Sequence, residues 1–237
     1  YYIVELCLYI MDTLLNNIDE KKSFLNIEDF HSLDIKLRFI HHSNAMKGNT
    51  LSLQDTRVVL EEGVTVGGKT IEEHIAVRNT GEAFDLMLKL VDTGFSNENI
   101  QHLHDKLMYG LSEEAGVYRN GVESEMDEYI QELLDIDMHP IEKAAFLYHK
   151  FMHIHPFYNG NEQTARLLMN LYLLQQGYPI VALRKEDQVK YYKALQKADR
   201  GNLKPLTKII AENIKETIEQ LSTKKPHPST RELSRYF

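Results

Sequence analysis

The sequence predicts a mainly α-helical protein, and three observations lead to this expectation. Apolar residues recur at spacings of three and four along most of the chain, which is the period of one helix face. Two segments carry a helix-start signal, Ser or Thr followed three residues later by an acidic residue. Strand-like alternation is found in a single short segment. A chain of 237 residues that is 43% hydrophobic can bury one sizeable core, so we expect one continuous helical body.

The N-terminal part is predicted to contain three helices. Residues 1–18 are apolar at helical spacing, and the interruptions at Glu5 and Asp12 indicate an amphipathic core helix rather than a membrane span. A second helix is predicted over 34–44. A third covers 52–63, where Ser and Asp form the first start signal and glycine the stop.

The strand-like segment follows directly. Apolar and polar residues alternate up to a Gly-Gly pair, which predicts a short β-hairpin. Its residues are Val64, Thr65, Val66, Gly67, Gly68 and Lys69.

The remaining elements are helices and one loop. Thr70 and Glu73 form the second start signal and open a long helical stretch that continues to Val91. The later predictions are a helix from Ser96 to Gly110, a polar glycine-rich loop from Leu111 to Val122, a helix with Pro140 in its first turn, one between Thr164 and Gly177, one around Val189 to Leu195, and a last one from Leu206 to Leu221.

Composition limits the classes of function. The net charge of −8 and the absence of a basic stripe argue against a nucleic-acid-binding surface. The single Cys7 excludes an internal disulfide framework and fits a reducing compartment, so we expect a cytoplasmic protein without a membrane segment. The start carries no basic segment followed by a cleavage site, which indicates a fragment of a longer protein.

The chemistry is concentrated between two predicted helices. His155, Phe157, Gly160, Asn161 and Arg166 lie within twelve residues. Gly160 and Asn161 permit a turn that points backbone amides into one concavity, and the following helix adds its positive end, so an anion is expected here. His155 can accept a proton from an incoming hydroxyl.

This stretch resembles the Fic family, whose motif is His-Pro-Phe-x-Asp/Glu-Gly-Asn-Gly-Arg-x-x-Arg. Six of its nine specified positions match. The similarity extends over roughly residues 73–221. The matching stretch reads His155-Pro156-Phe157-Tyr158-Asn159-Gly160-Asn161-Glu162-Gln163-Thr164-Ala165-Arg166.

The resemblance implies a Fic-type helical bundle that binds ATP with magnesium and transfers AMP to a Ser, Thr or Tyr hydroxyl of a target protein. By position, His155 would be the base, Asn161 and the loop amides would hold the α-phosphate, Arg166 would meet the β- and γ-phosphates, and Phe157 would anchor the loop. Tyr192 and Asp199 fall where the family lines its adenine pocket.

The resemblance also divides the chain. Residues 1–72 would hold N-terminal helices, an inhibitory-helix-like segment at 43–48 and the hairpin at 64–69, which falls at the family's flap for the target peptide. Residues 73–221 would form the core, and 222–237 a linker or the start of a further element. A protein substrate and a possible homodimer are the expected partners.

Three motif positions depart from the family. Asn159 replaces the carboxylate that would hold magnesium, and its amide is a weaker ligand. Glu162 replaces a glycine, and at ~4 Å with an effective dielectric of about 20 its repulsion of a phosphate costs about 4 kcal/mol, roughly a thousandfold in affinity. Gln163 replaces an arginine that would neutralise triphosphate charge.

A fourth departure lies in Ser43-Asn44-Ala45-Met46-Lys47-Gly48, where Lys47 replaces the inhibitory glutamate that would pair with the second motif arginine. Over the five varied or paired positions the formal charge is plus one, against zero in the family pattern. We therefore hypothesise a rewired pocket in which Lys47 or Arg166 pairs with Glu162.

Three functions stay open. The chain is an AMP transferase with weakened or altered activity, a catalytically inactive Fic-fold pseudoenzyme that binds a nucleotide or peptide, or an enzyme with another phosphate-containing donor. Glu162 is correspondingly either a built-in obstruction or the mark of a dead site. His149 and His153 lie four residues apart, but no glutamate stands between them as in a metalloprotease helix, so zinc is not expected.

Overall fold

A computed structural model describes residues 2–23 and 33–224 of the chain. Within these ranges the chain forms helices and no strand. The helices are α1 (Tyr2–Lys22), α2 (Leu33–Ala45), α3 (Leu53–Glu61), α4 (Ile71–Lys89), α5 (Asn97–Met108), α6 (Glu123–Asp135), α7 (Pro140–Ile154), α8 (Asn161–Gln175), a short 3₁₀ helix (Lys185–Asp187), α9 (Gln188–Ala198) and α10 (Lys204–Lys224).

Both predicted start signals are confirmed as reciprocal capping boxes. At α3, the Ser52 hydroxyl accepts the Asp55 N–H at 3.1 Å and the Asp55 carboxylate accepts the Ser52 N–H at 2.9 Å. At α4, Thr70 and Glu73 make the same pair of bonds at 3.2 and 2.9 Å. Each box satisfies backbone donors that the first helical turn leaves free, so these helices begin where the sequence indicates.

The first helix is amphipathic, as predicted. Met11, Leu15 and Ile18 are buried along one side of α1, while Asp12 is exposed, and α1 packs against α10. None of the helices in the described ranges is both long and apolar enough to cross a membrane. The side chain of Cys7 and residues 225–237 of the predicted C-terminal linker lie outside the described part of the chain.

Helix α8 lies at the centre of the bundle. Every residue from Asn161 to Leu174 is buried, and the helix contacts α2, α4, α5 and α7. Its leucines fill the core, but its first turn brings polar side chains into the same interior. A polar helix start inside a protein needs partners for its side chains and backbone N–H groups.

Helix α6 was not predicted. Its buried residues Met126, Tyr129 and Leu133 follow the helical period, but the residue before it, Val122, makes no side-chain cap. The helix has no start signal in the sequence, and its three buried apolar positions are spread among six acidic residues.

The predicted β-hairpin at 64–69 is wrong. Residues 63–66 have no regular secondary structure and 67–69 form a turn, without strand pairing in the described part of the chain. The Val66 N–H donates to His74 Nε2 at 2.8 Å, and the Lys69 ammonium donates to the Thr50 carbonyl at 2.6 Å. Neighbouring elements therefore hold this segment in place of a second strand.

Candidate functional site

A tight loop joins α7 to α8. It begins at His155, which has a left-handed backbone (φ 52°, ψ 58°) and is the non-glycine residue with positive φ among the described residues. Such a backbone costs a non-glycine residue about 1–2 kcal/mol. The loop ends at Gly160 (φ 72°), which caps α8 without a side-chain hydrogen bond. The exposed imidazole of His155 thus stands beside a helix start whose first N–H groups have no intrahelical acceptor.

Asn161 holds the loop in shape. Its side-chain oxygen accepts the Phe157 N–H at 2.9 Å, and its Nδ2 donates to the Phe157 carbonyl at 2.7 Å. The same Nδ2 lies 3.3 Å from both ring nitrogens of His155. The family resemblance implies that Asn161 and the loop amides hold the α-phosphate. In the structure its amide is engaged with the loop, so the backbone N–H groups are the free donors for an anion.

Phe157 occupies the core position expected of a loop anchor. Its side chain is fully buried, stacks in parallel on His104 with ring centroids 3.6 Å apart, and packs against Tyr118 at 4.9 Å. The burial of a full phenyl ring makes this contact the main apolar attachment of the loop.

His104 supports the other end of the loop. Its Nδ1 accepts the Gly116 N–H at 2.9 Å, and its Nε2 lies 3.0 Å from the Asn159 carbonyl. Burial lowers the pKa of His104 to about 4, so the ring is neutral near pH 7 and donates from Nε2. A Cβ on Gly160 would lie 2.8 Å from Met108 Sδ, so glycine is required there.

Arg119 supports the beginning of the loop. Its Nε donates to the His155 carbonyl at 2.7 Å, its Nη2 to the Ile154 carbonyl at 3.1 Å, and its backbone N–H to the Pro156 carbonyl at 2.8 Å. Sequence reasoning missed this residue. The glycine-rich loop that carries it was the one signal available.

The motif arginine is paired inside the motif. Arg166 Nη1 donates to Glu162 Oε1 at 2.7 Å, with the two side chains 1% and 10% exposed. The Arg166 alternative of the rewiring hypothesis is therefore confirmed. Its Lys47 alternative is wrong, because Lys47 lies exposed at the end of α2 and forms no ion pair with any described residue.

The end of α2 closes over the same guanidinium. Arg166 Nε donates to Ser43 Oγ at 3.1 Å and Nη2 to the Ser43 carbonyl at 3.1 Å, while Nη1 lies 3.6 Å from Met46 Sδ. The segment compared with an inhibitory helix thus reaches the motif through Ser43.

Tyr192 joins this network and Asp199 does not. The Tyr192 hydroxyl donates to Glu162 Oε2 at 3.3 Å, and Gln188 Nε2 lies 3.1 Å from that hydroxyl. Asp199 is bound by His149 Nε2 at 2.8 Å, and its side chain is 56% exposed.

Gln163 and Asn159 have free side chains. Gln163 is 8% exposed as a residue, its amide makes no hydrogen bond with a described residue, and it lines a cavity of about 310 Å³ together with Lys47. Asn159 is exposed. Across the described ranges, no three His, Cys, Asp or Glu residues are grouped so as to hold a metal.

The segment from Val64 to Gly68 is largely exposed. Val64 is 48% exposed, and the Val66 N–H bond to His74 is the hydrogen bond that its backbone makes within the described part of the chain. The structure does not bond this segment to the motif loop.

Comparison with known proteins gives the family context. Residues 94–173 match the family model described as Fic/DOC family. The protein adenylyltransferase Fic of Nematostella vectensis is 34% identical over 93% of this chain and 60% of its own length. That of Culex quinquefasciatus is 30% identical over 85% of this chain and 46% of its own length. The chain thus spans about half the length of these relatives.

Solved structures show the same fold. Fic-1 from C. elegans superposes with a TM-score of 0.84 at 28% identity and covers 93% of this chain and 74% of its own. A Fic family protein from Desulfovibrio desulfuricans G20 superposes with a TM-score of 0.78 at 22% identity over 94% of this chain and 76% of its own, which supports the likeness of fold alone.

Proposed function

Because this chain contains a Fic/DOC family domain, we propose that it transfers AMP from ATP to a Ser, Thr or Tyr hydroxyl of a target protein, with an activity held low by Glu162. The observation that carries the proposal is the loop itself. An exposed imidazole stands beside the open N-terminal end of a buried helix, so a proton acceptor and an anion site lie together.

The reaction follows from this pairing. The target hydroxyl attacks the α-phosphorus of ATP, the bond to the β-phosphate bridge breaks, and pyrophosphate leaves. The hydroxyl proton passes to a ring nitrogen of His155, whose ring the Asn161 amide holds. The N–H groups at the start of α8 stabilise the charge that develops on the phosphate oxygens.

Magnesium would supply charge neutralisation on the phosphate oxygens when bound. The exposed Asn159 amide fits one coordination position, since Mg²⁺ takes most of its ligands from phosphate and water. A neutral oxygen there holds the ion less tightly than a carboxylate, which is a first reason for low activity.

The second reason is the buried ion pair. The Arg166 guanidinium forms an ion pair with Glu162 and hydrogen bonds with Ser43. The Arg166–Glu162 ion pair is nearly inaccessible to solvent. A triphosphate that binds Arg166 must displace the Glu162 carboxylate from the guanidinium or be repelled by its negative charge. Tyr192 holds the second carboxylate oxygen, so Glu162 is fixed from two sides.

The remaining roles rest on position. Tyr192 and Asp199 would border the adenine, and the Val64–Gly68 segment would bind the target as a flap, because its backbone edge is free to pair with an extended peptide. Lys47 would lie beside the phosphates, since it shares a cavity with Gln163. A cytoplasmic location and a homodimer belong to the same proposal.

The test is calorimetric binding of ATP, with and without Mg²⁺, to the native chain, Glu162→Gln and Glu162→Gly. The Gln variant removes the charge and keeps the shape, and the Gly variant removes both. We expect weak binding by the native chain and binding tighter by about 10- to 1,000-fold in both variants. Glu142→Gln is the matched control, because Glu142 lies in the first turn of α7 and makes no ion pair with a described residue.

Transfer is then measured with α-labelled ATP and lysate proteins as acceptors. Label on protein from Glu162→Gly, lost on adding His155→Ala, supports the transferase. The ion pair also favours a second function, a pseudoenzyme whose internal carboxylate replaces the ligand. Absence of ATP binding in all three proteins would establish that alternative and overturn ours.

A further inference from the structure

The loop at 155–160 begins with a strained backbone conformation, which needs stabilising contacts from outside the loop. His155 adopts a left-handed backbone, and its carbonyl therefore turns away from the direction that α7 would give it. Non-glycine residues keep such a conformation when surrounding groups determine it. The groups that donate hydrogen bonds to the His155 carbonyl therefore help to set the direction of the imidazole.

We infer that Arg119 and His104 are positioning residues for the proposed transfer, one fixing each end of the loop that carries His155. The inference rests on the proposed function for its chemical meaning, and on loop geometry for its structural part. Neither residue belongs to the motif, and both come from a different part of the chain.

Arg119 fixes the first end. Its guanidinium donates to the carbonyls of Ile154 and His155, and its backbone N–H to that of Pro156, so three consecutive carbonyls are bound by one residue. A planar fork can meet two neighbouring carbonyls at once, which a lysine ammonium cannot do with the same geometry. The half-buried side chain keeps these charge-assisted bonds partly shielded from water.

His104 fixes the second end. It donates to the Asn159 carbonyl at 3.0 Å and stacks on Phe157 at 3.6 Å, so it sets both the backbone and the anchor of the loop. Because its Nδ1 accepts from Gly116, the donor nitrogen is fixed as Nε2.

The two residues act as one brace. Gly116, bonded to His104, lies three residues before Arg119, and Tyr118 between them packs against Phe157 at 4.9 Å. Helix α5 and residues 116–119 therefore support the loop from one side, while Asn161 supports it from the helix that follows. The imidazole and the free N–H groups of α8 keep a fixed relation through this double support.

The first experiment uses Arg119→Met, which keeps the apolar stem, and Arg119→Lys, which keeps the charge. Backbone amide exchange at 155–160 and the ring signals of His155 are followed by NMR. We expect exchange at the loop to rise at least tenfold in Arg119→Met and by a smaller factor in Arg119→Lys, with a shifted His155 ring signal. Arg57→Ala is the control, because Arg57 is exposed on α3 and makes no ion pair with a described residue.

The second experiment treats His104 in the same way. His104→Leu removes both hydrogen bonds and keeps apolar bulk, and His104→Gln keeps one donor and one acceptor. We expect faster exchange at the Phe157 amide, which donates to Asn161 Oδ1, in the Leu variant and partial recovery in the Gln variant. His102→Gln, two residues before His104 and on the exposed face of α5, is the control.

The kinetic readout separates positioning from support of the fold. In a Glu162→Gly background, Arg119→Met is expected to lower kcat 10- to 100-fold with KM for ATP changed by less than threefold, and Arg119→Lys to recover part of the loss. Unchanged loop exchange and an unchanged His155 signal in Arg119→Met would overturn the inference. If Arg119→Met folds poorly, Arg119→Lys decides by the same readouts. If Glu162→Gly transfers no label, the proposed function fails, and the NMR readouts still test the positioning.

Discussion

The loop at 155–160 and the segment at 63–70 are both short connections between helices, but they are held in opposite ways. The loop receives side-chain hydrogen bonds from Arg119, His104 and Asn161 and has its phenyl ring in the core. Between Val64 and Gly68 the segment makes one backbone bond, from the Val66 N–H to His74, and Val64 is half exposed. Its C-terminal end is tied by Lys69 to Thr50 and by the Thr70 backbone to Glu73 and His74.

The difference shows which part of the site is complete before a ligand arrives. A loop bound from three sides keeps a proton acceptor and helix N–H groups in a fixed geometry, which is what catalysis by positioning needs. A segment whose backbone N–H and C=O groups are mostly unpaired has no such fixed geometry before a partner binds. It becomes ordered when an extended peptide pairs with it. Substitutions in the loop should therefore affect stability, and substitutions in the segment should affect partner binding.

The largest expected contrast is between two apolar truncations. Phe157→Ala removes a fully buried ring and should lower the free energy of unfolding by about 3–5 kcal/mol. Val64→Ala should change it by less than about 0.5 kcal/mol, because the side chain is 48% exposed. Urea unfolding followed by circular dichroism measures both, and equal losses would contradict the comparison.

A smaller contrast separates two glycines with nearly the same backbone. Gly160 (φ 72°) and Gly68 (φ 78°) both disfavour a side chain, at about 1–2 kcal/mol. At Gly160 a Cβ would also meet Met108 Sδ at 2.8 Å and His104 Nε2 at 3.1 Å, whereas nothing lies within 4 Å at Gly68. Gly160→Ala should therefore cost about 2–4 kcal/mol and Gly68→Ala about 1 kcal/mol in unfolding experiments, and Gly67→Ala is a control without positive φ.

The sequence predicted what is local. Capping boxes and helical periodicity placed nine of the ten α-helices of the described part of the chain, because these signals act within a few residues. The exception is α6, whose three buried apolar positions are spread among six acidic residues. The alternation of apolar and polar residues at 64–69 led to a wrong prediction. Such a pattern indicates which side chains could share one face of a strand, but it does not show that a second strand is present to pair with it.

The candidate site was predictable only where its residues are neighbours in the chain. The motif gave His155, Phe157, Asn161 and the Glu162 to Arg166 pair, which is an i,i+4 contact. Arg119 reaches His155 across 36 positions and Ser43 reaches Arg166 across 123. Contacts at such separations depend on tertiary packing, which periodicity does not encode.

The smallest expected effect on stability, and the sharpest on partner binding, belongs to Thr65→Pro. The Val66 N–H donates to His74 Nε2, whereas the Thr65 N–H has no acceptor among the described residues. Proline removes that donor at an exposed position, so unfolding should change by less than about 0.5 kcal/mol.

Loss of one pairing bond, worth about 1 kcal/mol, should lower protein labelling about fivefold in the Glu162→Gly background, with ATP binding unchanged. Thr65→Ala keeps the N–H and should label as the parent does. Equal labelling by the proline and alanine variants would mean that the target binds without pairing to this edge, and the 63–70 segment would then be a connection like any other.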